Sequence, residues 1–159
     1  MTDSDDTLRA SERAILGSFL LAPNEAVRPA LEVLTAADFS DARLGDLYDV
    51  VATMYGEGTP IELISVVAEA ARSAGPARHM HAAEIFDLQA ETFTASNVGW
   101  HINQVAEGAG KRRMKAHGTR LAQLADGDMD LGELMKLARG EWESITHHTA
   151  SELEAVTLG

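Results

Sequence analysis

One proline-free stretch, residues 94–145, limits what this chain can fold into more than any other feature. It begins with Thr94-Ala95-Ser96-Asn97, runs without strand-like alternation to Ala125, and resumes after a polar turn as a second helical pattern from Leu131 to Ile145. A helix of roughly thirty residues is about 45 Å long, more than the width of a small domain. The stretch therefore predicts a long antiparallel helical hairpin, with Ser96 or Thr94 as N-cap, that projects in part from the rest of the chain.

The predicted hairpin carries apolar residues at helical spacing on both of its helices. Because this stripe exceeds what a short bundle can cover, we predict that the hairpin mediates self-association. Trp142 is open to two interpretations, an interface anchor or ordinary packing inside the hairpin. The candidate interface residues are Met114, Leu121, Leu124, Leu131, Leu134, Met135, Ala138 and Trp142.

Three glycines, Gly108, Gly110 and Gly118, interrupt the first hairpin helix. Each lowers the stability of an exposed helix by about 0.5–1 kcal/mol relative to alanine. The middle of the helix is therefore its weakest part, and we expect a bend or break near Gly108-Ala109-Gly110.

Residues before the hairpin show helical periodicity throughout, and no segment alternates like a strand. The fold class predicted is all-α, an orthogonal bundle of about five helices followed by the hairpin. The five helices of the bundle are predicted to start near Thr7, at 26–28, after a Ser40 cap, at Pro60 and near Arg78. Pro60 lies within Thr59-Pro60-Ile61-Glu62, whose spacing resembles a capping box. The predicted domains are a disordered tail over 1–6, a globular domain over 7–93, the hairpin over 94–146, and a linker or the start of a further region over 147–159.

Composition excludes several classes of protein. Cysteine is absent, which rules out a disulfide framework, and no apolar run approaches the length of a membrane span. The acidic N-terminus lacks the profile of a signal peptide, so the sequence predicts a cytoplasmic protein. A net charge of −12 argues against a chain that coats DNA, which requires a clustered positive surface.

A local basic cluster is the exception to this acidic composition. One interpretation is contact with nucleic-acid phosphates. The alternative, favoured by the overall charge and the absence of interleaved aromatic residues, is a solvated helix surface or pairing with acidic neighbours on another subunit. The candidate phosphate contacts are Lys111, Arg112, Arg113 and Lys115.

No pattern in the chain predicts a catalytic, cofactor or metal site. His79 and His81 with Glu84, and the adjacent pair at 147 and 148, lack the i, i+4 spacing of a helical metal site. The acidic turn 126–130 departs from a calcium loop and is interpreted as a polar turn that ends in an Asp130 N-cap. A phosphate-binding loop of the form G-x-x-x-x-G-K-(S/T) is absent from the sequence.

Four strings, in order, resemble the N-terminal domain of the bacterial replicative DNA helicase, the DnaB family. They cover residues 7–146, although 78–92 matches poorly and the hairpin glycines depart from the family pattern. The strings are Ser11-Glu12-Arg13-Ala14-Ile15-Leu16-Gly17-Ser18-Phe19-Leu20-Leu21; Leu34 with Ala37-Asp38-Phe39; Leu47-Tyr48 with Gly58-Thr59-Pro60-Ile61-Glu62-Leu63-Ile64-Ser65-Val66; and Thr94-Ala95-Ser96-Asn97-Val98.

This resemblance implies a function in replication without catalysis by this chain. Family members form hexameric rings in which the N-terminal domains are a trimer of dimers, paired through their hairpins, that contacts primase or a helicase loader. ATP and magnesium are then expected only in a motor domain outside this chain. Two alternatives remain open: a phage or plasmid protein that mimics the collar to load or inhibit a helicase, and the helicase-binding domain of a primase.

Overall fold

The computed structural model describes the backbone of residues 3–158 and the side chains of residues 3–146. Every regular element in this part of the chain is helical, which confirms the all-α prediction. Two short 3-10 helices, Ala36–Asp38 and Pro76–His79, connect the longer elements. The seven α-helices are α1 (Asp3–Leu21), α2 (Pro23–Leu31), α3 (Ala42–Gly56), α4 (Leu63–Arg72), α5 (Ala82–Ala90), α6 (Val98–Ala125) and α7 (Leu131–Leu158).

Helix α1 is the centre of the core. Its residues Ile15, Leu16 and Phe19 are almost completely buried, and it packs against α2, α3, α5 and α6. The Phe19 and Tyr48 ring centroids lie 5.9 Å apart, a distance typical of aromatic pairs. Burial raises the pKa of the Tyr48 hydroxyl, which donates a hydrogen bond of 2.8 Å to the Leu34 carbonyl oxygen. The polar atom of this aromatic pair is therefore satisfied inside the core.

The first half of α6 belongs to the globular body. Ile102, Val105, Ala106 and Ala109 are buried against it, whereas residues from Met114 onward pack against α7 or face solvent. The projecting part of the hairpin therefore begins after residue 110, in agreement with the prediction that the hairpin projects only in part.

Helix α6 is continuous through its three glycines, so the break expected near Gly108 does not occur. A Cβ on Gly108 would lie 2.9 Å from Cδ1 of Leu8 on α1, and Gly110 is buried. The body covers this segment, and helix packing offsets the low intrinsic propensity of glycine. Gly118 lies in the projecting part, with open space around it.

The N-terminal boundaries of α1 and α2 differ from the prediction. Helix α1 already begins at Asp3, so residues 3–6 are helical where a disordered tail was predicted; Met1 and Thr2 lie outside the described residues. Helix α2 begins at Pro23 and continues through Pro29. Pro23 occupies a first-turn position, where the missing N–H would have no helical partner.

The caps of three later helices also differ from those predicted. Helix α3 is capped by Asp41, which accepts a hydrogen bond of 2.8 Å from the Arg43 N–H. Helix α4 begins three residues later than predicted, with Glu62 and Ser65 as its capping box. The N-cap of α6 is Asn97. The local cap motifs of the sequence predicted these helices but not their first residues.

Helix α7 extends to Leu158, so the linker predicted over 147–159 is helical up to that residue. The side chains at 147 and 148 lie outside the described part. Asp130 is confirmed as the N-terminal cap of α7, because its Oδ2 accepts a hydrogen bond of 3.0 Å from the Gly132 N–H.

Candidate interaction surfaces

The apolar residues predicted at the hairpin divide into an inner and an outer group. Side chains between the two helices are half-buried: Leu121, Leu124, Leu134 and Ala138. The others are exposed, and we call them the outer face: Met114 (47% exposed), Leu131 (67%), Met135 (58%) and Trp142 (46%). Leu131, Met135 and Trp142 follow helical spacing i, i+4, i+11 and share one side of α7.

Polar contacts hold the middle of the hairpin together. The Glu141 carboxylate on α7 lies 2.8 Å from Nδ1 of His117 and 2.8 Å from Nη1 of Arg120, both on α6. The His117 side chain is only 10% exposed, and its ring centroid lies 6.4 Å from that of Trp142. Trp142 therefore packs on α6, as in the second of the two interpretations, while nearly half of its surface faces solvent.

Both arginines of the basic cluster contact Asp38 of the globular body. Arg113 forms an ion pair with the fully buried Asp38 carboxylate, and Arg112 donates a hydrogen bond of 2.7 Å to the Asp38 carbonyl oxygen. Lys111 pairs with Glu107 at 3.1 Å on the surface, and Lys115 is exposed. Arg113 is therefore directed toward Asp38, whereas Lys111, Arg112 and Lys115 line one open depression on the surface.

A second apolar surface, which the sequence interpretation missed, lies between α4 and α5. It is a shallow groove of about 450 Å³. Ile64 is 82% exposed and Phe86 is 55% exposed, although both are large apolar side chains. The α4–α5 groove is lined by Leu63, Ile64, Val67, Ala82, Ala83 and Phe86. A sequence signal exists, because apolar residues cover more than one face of α4, with Val66 and Ala70 already filling its buried side.

The histidine and acidic residues singled out in the sequence have other roles. Glu84 accepts a hydrogen bond of 2.8 Å from the His81 N–H and pairs with Arg43 at 2.9 Å. The His81 hydrogen bond, followed by the contact with Arg43, lowers the pKa of the Glu84 carboxyl. Among the described residues, no three His, Asp or Glu side chains are placed to hold a metal ion. Within the same part of the chain, no helix has the length and apolar character needed to cross a membrane.

These features define a class: an all-α domain, in which a globular body carries a projecting helical hairpin with exposed apolar side chains. The family model for the DnaB-like helicase N-terminal domain matches residues 6–107. The chain belongs to this family of replicative helicase N-terminal domains.

Individual relatives support this assignment. The replicative DNA helicase DnaB of Mycobacterium leprae is 32% identical over 147 residues, which are 90% of this chain and 24% of the relative. The corresponding helicase of Leifsonia xyli is 31% identical over 86% of this chain and 30% of its own length. The chain thus spans about a quarter to a third of these two proteins.

A solved structure shows the same architecture. The crystal structure of the N-terminal domain of DnaB helicase from Mycobacterium tuberculosis aligns with a TM-score of 0.78 and 31% identity. The alignment covers 86% of this chain and 96% of that one. The similarity therefore extends over nearly the whole of a DnaB N-terminal domain.

Proposed function

We propose that this chain is the self-association and partner-docking domain of a DnaB-like replicative helicase, with ATP hydrolysis assigned to a motor domain outside it. The observation that carries the proposal is the outer face of the hairpin. Exposed clusters of large apolar side chains mark interaction sites, because a monomer gains nothing from presenting them to water. Complete burial of one such side chain contributes about 1.5–3 kcal/mol before association costs are counted.

The outer face fits a second copy of the hairpin. Leu131, Met135 and Trp142 form a stripe along α7, and two such stripes can pack side by side as paired helices. The inner residues Leu121 and Leu134 already contribute to contacts between α6 and α7, so they stabilise each hairpin from within. Pairs of domains joined in this way are the units from which a ring of helicase subunits is built.

Light scattering of the wild-type chain over a range of micromolar concentrations tests for association. The expected result is a mass that rises with concentration from one copy toward two or more. A mass equal to one copy at every concentration would contradict the proposal. Measurements at low and high salt separate apolar from charge-driven contact, since association through the outer face persists at high salt.

The α4–α5 groove is proposed as the docking site for a helical segment of primase or of a helicase loader. An amphipathic helix binds such a groove by inserting apolar side chains at positions i, i+3 or i+4, and i+7. Exposed Ile64 and Phe86 would provide the central contacts. The groove lies on the globular body, away from the outer face, so one domain can bind a partner and a second copy at the same time.

Isothermal titration calorimetry of the chain with purified cognate primase tests this docking. Ile64→Ser and Phe86→Ser are expected to weaken binding by about tenfold or more, the loss associated with truncating a central interface side chain. Leu131→Ser is the matched control, because it removes an exposed apolar side chain from the other surface. Equal weakening by all three variants would argue against the groove.

A further inference from the structure

The loop between α2 and α3 holds a fully buried carboxylate, that of Asp38. Its Oδ2 accepts a hydrogen bond of 2.8 Å from the Thr35 N–H, which closes a capping box within the loop. Its Oδ1 accepts from Nη2 of Arg113, 75 residues later in the chain. A buried charge is tolerated only when it is paired and hydrogen-bonded, so the position of Arg113 is energetically coupled to that of the loop.

The same loop is fixed to the globular body on its other sides. The Glu12 carboxylate of α1, also fully buried, accepts hydrogen bonds from the Ser40 N–H and, at 3.0 Å, from the Ser40 hydroxyl. On α3, a Cβ added to Gly45 would lie 2.5 Å from the Ala36 carbonyl oxygen, so α3 and the loop are in direct contact. The loop therefore has little freedom to move relative to α1 and α3.

The two arginines lie at a mechanically sensitive position on α6. Ala109 and Gly110 are the last buried residues of this helix, and the hairpin projects from there. Consecutive residues on an α-helix point about 100° apart. Arg112 and Arg113 therefore reach Asp38 from two directions, which restrains the rotation of α6 about its axis as well as its tilt.

We propose that Asp38, Arg112 and Arg113 act as a clamp that sets the direction in which the hairpin projects from the body. The clamp connects the loop, which is immobilised by Glu12 and Ser40, to the first residues of α6 outside the core. Without it, α6 stays helical and its buried half stays packed, but the projecting half loses the two arginine contacts with Asp38. The inference concerns a single copy and does not depend on how copies associate.

Spin-label distance measurements test the clamp directly. The chain contains no cysteine, so pairs of cysteines can be introduced at exposed positions with no native cysteine to remove first. Thr53→Cys with Gln123→Cys reports the distance from the body to the end of the hairpin. Thr53→Cys with Glu32→Cys reports the body alone. A large excess of unlabelled chain ensures that two labelled copies seldom associate, so the measured distances are those within one copy.

The variant combines Arg112→Gln with Arg113→Gln. Lys115→Gln is the matched control, since it removes a charge from an exposed position on the same helix and leaves both arginine contacts with Asp38 in place. The expected result is a displaced and broader body-to-hairpin distribution in the double variant, with the distribution within the body unchanged. Lys115→Gln is expected to match the wild type in both.

Two outcomes with the double arginine variant, and one with an Asp38 variant, would overturn the clamp. In the first, the body-to-hairpin distance distribution of the double variant is the same as that of the wild type. In the second, the distance distribution within the body changes together with the body-to-hairpin distribution. The second outcome would assign the arginines to the fold of the body instead of to the hairpin direction. Asp38→Asn, which keeps an acceptor for Thr35 and removes the charge facing Arg113, is expected to displace the same distribution in a folded protein, and its failure to do so would also contradict the clamp.

Discussion

Gly17 of α1 lies so close to α5 that a Cβ built on it would sit 2.3 Å from the carbonyl oxygen of Leu88. The same Cβ would lie 1.9 Å from the hydroxyl oxygen of Thr92. Because a backbone carbonyl cannot turn aside as a flexible side chain can, Gly17→Ala must push α1 and α5 apart. We expect it to lower the free energy of unfolding by about 1–3 kcal/mol or more. Urea denaturation measures the change, and an unaltered midpoint would contradict the close packing of α1 on α5.

Gly118 gives the opposite prediction. It is helical and exposed, and no heavy atom beyond its own helix lies within 4 Å of the place that a Cβ would take, so alanine fits without strain. Gly118→Ala is expected to raise the free energy of unfolding by about 0.5–1 kcal/mol, because alanine loses less backbone entropy on folding. Urea denaturation also measures this change. A destabilised Gly118→Ala variant would indicate that α6 is not regularly helical at this position.

Glu141 is the central polar contact of the hairpin. Glu141→Ala removes the acceptor for both His117 and Arg120 and leaves the largely buried imidazole without that partner. We expect the free energy of unfolding to fall by about 1–3 kcal/mol. Glu143→Ala, an exposed carboxylate two residues along the same helix, is the control and is expected to change stability by less than about 0.5 kcal/mol. Equal effects from the two substitutions would show that the contacts across the hairpin contribute nothing specific.

His101 makes stability depend on pH. Burial lowers the pKa of its imidazole, whose Nδ1 lies 3.0 Å from the Ser11 hydroxyl oxygen. The unfolded chain therefore binds a proton more readily than the folded one, near the ordinary pKa of about 6.5. The stabilising contribution is fully present above that pH and is lost as pH falls through the lower pKa of the folded state. His101→Gln is expected to flatten this decline in urea denaturation series below neutral pH. If the free energy of unfolding depends on pH in the same way for the wild type and for His101→Gln, the lowered pKa of His101 is contradicted.

Local sequence patterns were sufficient to predict the elements of this fold. The apolar periodicity of each helix reflects one buried side, and Asp130 follows the ordinary rule for an N-cap. An N-cap is less predictable where the candidate side chain is used in a tertiary contact instead of at the helix start. Ser40 has the side chain of an N-cap, but its hydroxyl donates to Glu12 on α1, and Asp41 caps α3 instead.

The candidate interaction surfaces depend on long-range contacts that local patterns do not contain. The pairing of Arg113 with Asp38 joins residues 75 positions apart, so a basic helical segment that resembled a solvated surface turned out to be partly internal. Gly108 was interpreted from its intrinsic propensity, although its packing against Leu8 decides its environment. The split of the hairpin stripe into inner and outer residues likewise required the relative positions of α6 and α7.

Self-association through the outer face of the hairpin is decided by sedimentation equilibrium of surface variants. Met135→Asp and Trp142→Asp each place a charge in the proposed interface, whereas Ile64→Asp changes an exposed apolar residue on the globular body and serves as control. We expect an associating wild type, an associating Ile64→Asp variant, and a single-copy mass for both hairpin variants with unchanged helix content. Hairpin variants that associate as strongly as the wild type would contradict the proposed interface.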